Sequence, residues 1–235
     1  MEQRAKEMVY GGHAFSRADE GSDSAFYANA RFVSHLDEVA LATVEQLIGS
    51  LVDQPSPVVL DLMASWDSHI PDTVRPSKVV GLGLNREELD TNPKLTEIVI
   101  QDINENPRLP FPDNAFDVVL NTVSVDYITQ PFEVFHEVAR VLKPGGRFIV
   151  IFSNRMFPEK AVKIWRQSGD QERIIMVEDF FEDVPAFGKT SIFTSQGKPR
   201  PQGDKYVEVS RYSDPVFAVY AHKAGGDADR SETVD

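Results

Sequence analysis

Five short apolar runs rich in β-branched residues constrain this chain more than any other feature. They read PVVLDLM (57–63), KVVGLGL (78–84), TEIVIQD (96–102), FDVVLNTVSV (116–125) and GRFIVIFS (146–153). A strand with one wet face alternates apolar and polar residues; these runs are nearly continuous, so each is expected to be covered on both faces. Covered strands of this kind form parallel sheets, whose neighbours are joined by crossovers that are usually helices. The clearest crossover is PFEVFHEVARVLKPGG (131–146). Pro131 suits its first turn, Phe132, Phe135, Val138, Ala139 and Leu142 form a buried stripe, and Lys143 and Gly145 close the negative end. LKPGG is a structural element: it stops a helix and starts a strand.

Upstream, HLDEVALATVEQLIGSLV (35–52) carries Leu36, Val39, Ala40, Thr43, Val44, Leu47 and Ile48 on one face, with Ser34 as the expected cap. Downstream, 158–168 and 170–184 read as helices, and TSIFTS (190–195) and DPVFAVYAHK (214–223) as two last strands. The long polar link across 195–214 is either a substrate loop or a plain hairpin tip. At 235 residues and 41% hydrophobic content, one domain is expected over 29–223, with a mobile segment at 1–28 and a disordered acidic tail at 224–235.

The composition removes several function classes. With no cysteine there are no disulfides or thiolate chemistry, and the five histidines make no ligand-spaced cluster, so no metal site is expected. A net charge of -13 opposes nucleic acid and anionic membranes as partners. No run approaches the ~20 apolar residues of a membrane span. The expected location is the cytoplasm, or a plastid if a transit peptide precedes this sequence. Phosphate-loop, G-x-S-x-G and dinucleotide fingerprints are all missing, which argues against hydrolase and dehydrogenase readings.

Specific residues narrow the sheet further. VVLDL ends at Asp61 and Leu62; IVIQDINENPRLPFPDNAFDVVLNTVSVDYI carries Asp102, then Leu109-Pro110-Phe111-Pro112-Asp113, then Phe116-Asp117; EVARVLKPGGRFIV follows. The set resembles the small-molecule, type 11-like group of S-adenosylmethionine-dependent methyltransferases, over about residues 30–222 and most specifically over 101–150. The resemblance implies an α/β, Rossmann-like methyltransferase fold: a mostly parallel, seven-stranded central sheet, helices on both faces and an antiparallel C-terminal hairpin. It also implies S-adenosylmethionine as cofactor and a small-molecule methyl acceptor as partner. In such folds ligands bind beyond the carboxyl ends of the strands at the switch point. By that mapping Asp102 meets the adenine amine, Ile103 supplies an amide and an apolar wall, and Asn121 faces the same pocket. Asp61 either contacts the cofactor or braces the next loop.

Two departures stand out. Aligned on Asp61, the family's three loop glycines are replaced by Met63, Ser65 and Asp67, although glycine is used there for unusual φ and for ligand volume. Met63 must then turn at ordinary φ or under strain, and Pro71 and Pro76 leave at most one turn of the helix that usually follows. The acid that grips the ribose is replaced by Gly83, with Asn85 or Glu87 as substitutes, Asn85 serving otherwise as a helix cap. Ser65, Gly83 and Asn85 enter as cofactor positions because their backbone should line the site. On the acceptor side Asp126 and Tyr127 are the candidate catalytic pair, against a purely structural turn. Trp66 and His69 either cover a ligand or fill its place. Two functions follow: a working small-molecule methyltransferase, or a methyltransferase scaffold that has lost its cofactor and serves as a binding or assembly module.

Overall fold

A computed structural model describes residues 8–225. All seven expected strands form: β1 Val58–Leu62, β2 Lys78–Gly83, β3 Glu97–Ile100, β4 Phe116–Thr122, β5 Leu142–Phe152, β6 Ser191–Ser195 and β7 Val216–His222. They build one sheet in the order β3-β2-β1-β4-β5-β7-β6. The first five are mutually parallel, whereas β7 runs antiparallel to both β5 and β6. The chain is therefore an α/β protein of the expected class. Side chains alternate between two cores: along β4, Val118 and Leu120 face one and Phe116 and Val119 the other.

Helix α2 (Glu38–Leu51) covers the first core with Ala40, Thr43, Val44, Leu47 and Ile48. Its cap is Asp37, not the expected Ser34: the Asp37 carboxylate accepts from the amides of Val39 and Ala40 at 3.0 and 3.1 Å. No helix joins β1 to β2. Pro71 instead packs against α2, where a Cβ on Gly49 would stand 3.2 Å from its ring, and Ile70 and Val74 complete the core. The second core lies under α4 (Pro131–Val141) and α6 (Asp170–Glu182), with α5 (Lys163–Gln167) shorter than its sequence suggested. Phe135, Phe148, Phe181 and Phe187 form a chain of edge-to-face, tilted and stacked ring contacts with centroids 4.9–6.1 Å apart. Each such ring contributes ~1.5–3 kcal/mol by burial. Phe132, assigned to that core from its spacing, packs on Phe180 at 5.3 Å, but it is only partly buried and also meets Tyr10 and Phe15.

Those two rings belong to the N-terminal segment, which the sequence placed outside the domain. Residues 10–28, including the short helix α1 (Asp23–Phe26), lie across it. The Tyr10 hydroxyl donates to Asp179, Lys163 and Ile164 amides donate to the carbonyls of Ser16 and Ala14, and the fully buried Lys160 ammonium sits 3.0 Å from both Asp19 and Asp23. Ion pairs and single aromatic contacts hold this segment, and they leave no periodic apolar pattern to read. The remaining parts of the predicted ends, 1–7 and 226–235, lie outside the described residues.

Candidate active site

The carboxyl ends of the parallel strands open into a cavity of about 470 Å³, within the ~300–1,000 Å³ of small-molecule sites. It lies where strand order reverses, between β1 and β4. Its lining comes from the loop after β1, the start of α3 (Arg86–Thr91), residues following β3, β4 and β5, the N-terminal segment, and Lys205 and Tyr206 of the long polar link. That link thus folds against the cavity, anchored by the buried Arg200, which pairs with Asp214 at 2.6 Å, Asp204 at 3.0 Å and Asp37 at 3.3 Å.

The altered loop keeps a left-handed backbone without glycine. Met63 has φ +62° and His69 φ +53°, and Val123 at the end of β4 has φ +54°. A left-handed residue with a Cβ costs ~1–2 kcal/mol, more when β-branched, and such strain tends to collect at ligand sites. Hydrogen bonds pin the loop, among them the Ala64 amide to Leu82 O at 2.8 Å, and the Asn92 amide group to Ser65 O at 2.8 Å and Ser68 Oγ at 2.9 Å. The first of these explains Gly83. A Cβ there would stand 2.3 Å from the Ala64 carbonyl oxygen, so no acid can occupy the ribose position.

Asn85 cannot substitute through a free side chain. Its carbonyl oxygen caps α3 at the Glu88 amide, 3.0 Å away, and its amide donates to Tyr27 O and Ala28 O. The exposed Glu87 does not line the cavity. The acid that does is Glu88, buried, accepting from Ser65 Oγ at 2.6 Å and from the Arg31 amide at 2.7 Å. Sequence reading missed Glu88, although its position three residues after the Asn85 cap was available as a signal. Arg31, Arg17 and Lys160 also line the site, and no sequence pattern announces them.

Of the predicted positions, Asp61, Ser65, Gly83, Asn85, Asp102, Ile103 and Tyr127 line the cavity; Asn121 and Asp126 do not. Asn121 is fully buried behind it and ties the strand ends together, donating to Leu62 O at 3.2 Å and Ser124 Oγ at 2.9 Å. Asp126 is sealed in the protein with Oδ2 unpartnered among the described residues, and burial pushes its carboxyl up to about 8 against the pull of its own amide and of Arg173. The Tyr127 hydroxyl accepts from the Phe157 amide at 2.8 Å, and burial raises it far above the usual phenol range. Asp126 therefore cannot touch an acceptor, and Tyr127 reaches the cavity as a bracing residue. Asp102 makes a turn with the Asn104 amide through one oxygen.

Five buried polar atoms of residues lining this cavity have no hydrogen-bond partner among the described residues: Asp61 Oδ2, Thr122 Oγ1, Arg31 Nη1, Arg17 Nε and His69 Nδ1, the last two lying 3.7 and 3.2 Å from the carboxylates of Glu20 and Asp67. Burial pushes Asp61 up to about 6, with Ser68 and His69 pulling the other way. No cluster of histidine and carboxylates able to hold a metal occurs among the described residues.

This geometry agrees with comparisons to other proteins. The sequence profile of a family described as "Methyltransferase domain" matches residues 69–150, from within the altered loop to the middle of β5. Over that stretch the chain is similar to S-adenosylmethionine-dependent methyltransferases. That likeness implies S-adenosylmethionine as the cofactor. A fatty-acid O-methyltransferase of Mycolicibacterium smegmatis is 41% identical over 88 residues, 35% of this chain and 31% of that enzyme. A malonyl-[acyl-carrier protein] O-methyltransferase of a Marinomonas species is 25% identical over 225 residues, 90% of this chain and 74% of that one. Across the first few curated relatives the match spans less than a third of their own length. Among solved structures, a possible histamine N-methyltransferase from Thermotoga maritima superposes with TM-score 0.54 at 15% identity, covering 78% of this chain and 88% of that one. The [4+2]-cyclase SpnF superposes at 0.55 and 14%, covering 84% and 88%. These two establish the fold.

Proposed function

We propose that this protein is a methyltransferase that binds S-adenosylmethionine in the 470 Å³ cavity and methylates a small molecule held beside it. The observation that carries the reading is the retained backbone at Met63, φ +62°, next to an unpartnered Asp61 oxygen. A non-glycine residue is kept in a strained, left-handed turn where the family uses glycine, and that strain preserves the loop path. The bound cofactor would supply an electrophilic methyl group on a sulfonium. The protein's part is to hold and align. Asp61 Oδ2 is a free acceptor suited to an ammonium, the Ala64–Ser65 backbone lies along the cavity, and Asp102 and Ile103 suit a nucleobase edge and face. Asn121 and Tyr127 brace the ends of β4 and β5, fixing where an acceptor can sit. With Asp126 outside the cavity, acceptor deprotonation does not run through it.

The test is calorimetric titration with S-adenosylmethionine and S-adenosylhomocysteine. Binding at ~100 μM or tighter, about -5.5 kcal/mol, is expected. It should weaken in Asp102→Ala, and by about tenfold between pH 7 and pH 5 as Asp61, held near 6, loses the charge that an ammonium requires. Absence of heat and of thermal stabilisation at millimolar ligand would overturn the reading. The blocked position at Gly83 favours the other function, a scaffold that has lost its cofactor, and that result would establish it.

A further inference from the structure

We infer that the methyl acceptor is an anion, a carboxylate on an apolar or aromatic body, and that Arg31 holds its charged end. The inference rests on the reading that cofactor and acceptor share this cavity. Its starting point is a charge count in the lining. Arg17 is paired with Asp23 at 2.6 Å, Lys160 with Asp19 and Asp23 at 3.0 Å, and Arg155 with Asp214 at 2.9 Å. Arg31 has no carboxylate side chain within ion-pair distance among the described residues, and its Nη1 is buried with no acceptor. In a chain of net charge -13, a half-buried guanidinium without a counter-charge is an exception. A buried donor left unmet is destabilising unless a ligand or ion meets it.

The setting supplies the rest of the ligand's chemistry. The Arg31 guanidinium carbon lies 4.4 Å from the ring centre of Phe26, 5.0 Å from Phe157 and 5.4 Å from Tyr27. Its Nη2 donates to Phe26 O at 3.0 Å, and its backbone amide is fixed by Glu88 at 2.7 Å. The planar cation is therefore held in one orientation against aromatic faces, an arrangement that suits a charge-assisted hydrogen bond to a carboxylate. Phe157 follows β5, so the group also draws on the far side of the switch point from β2. Lys205, over the Tyr206 ring at 4.9 Å, also lines the cavity without a carboxylate partner among the described residues and adds positive potential from the long polar link.

The experiment is calorimetry on the protein saturated with S-adenosylhomocysteine, using two matched pairs: octanoate against octanamide, and benzoate against benzamide. In at least one pair the carboxylate is expected to bind about tenfold or more tightly than its amide, the order of one charge-assisted hydrogen bond. Arg31→Met should abolish that preference and Arg31→Lys restore part of it, while each variant's affinity for S-adenosylhomocysteine reports whether the site is folded. Equal binding within both pairs, no binding in either, or a preference that survives Arg31→Met overturns the inference. Failure of the wild-type protein to bind S-adenosylhomocysteine overturns the proposed function as well, so the two failures are distinct. The wild-type comparison needs no variant and stands if Arg31→Met fails to fold.

Discussion

Residues 101–150 and residues 61–83 both line the same cavity, and they follow the family pattern to very different degrees. The first stretch supplies the turn Leu109–Asp113, strand β4, helix α4 and the start of β5, all bound by packing and by local ion pairs such as Arg140 with Glu137 at 2.6 Å and Lys143 with Asp117 at 2.8 Å. The second has lost three glycines, a helix and an acid, yet its backbone still lines the site. The comparison teaches that chain path and side-chain chemistry are separable. Met63 keeps a left-handed turn that glycine would enter freely, and Ala64, bonded to the end of β2, has moved into the space an acid at 83 would need.

The sharpest way to break that comparison is to restore the family's acid. Gly83→Asp should destabilise the fold by about 3 kcal/mol or more, since its Cβ would meet a backbone carbonyl that cannot step aside. Urea denaturation measures this, and a variant that keeps wild-type stability would show that the loop yields. Next in size is Asp126→Asn, in the well-matched region. A carboxyl raised to about 8 in the folded state favours folding below its unfolded value near 4, and that contribution is lost as pH climbs toward 8. The variant should therefore gain stability over wild type by about 2 kcal/mol more at pH 6.5 than at pH 5. A gain independent of pH would mean that Asp126 does not titrate there. The smallest effect concerns Met63. Met63→Val should cost about 1–2 kcal/mol because a β-branched side chain resists positive φ, whereas Met63→Gly should fall within about 1 kcal/mol of wild type, relief of strain offsetting lost packing and added chain entropy. Thermal melts of the pair check the order, and equal stability of the two would remove the argument for a strained turn.

The strands were legible because apolar runs report burial directly, and α4 because its stripe and its proline obey local rules. The cap of α2 was misplaced by three residues since both Ser34 and Asp37 can cap, and only the bonds to Val39 and Ala40 choose between them. The site was legible where a residue's place follows from strand ends, as with Asp61, Asp102 and Ile103. It was misread at Asn121 and Asp126, which the strand pattern put near the cavity but whose side chains turn into the protein.

By itself, then, the sequence determined the sheet, its parallel core and the cleft at its switch point, because hydrophobic periodicity and helix punctuation act over a few residues. Only the tertiary structure decided what lines that cleft. Arg31 and Glu88 meet there across 57 residues through one hydrogen bond, and Lys160 is buried against an N-terminal segment some 140 residues away. Such contacts depend on charge, shape and space between distant segments, and no local pattern in the chain encodes them.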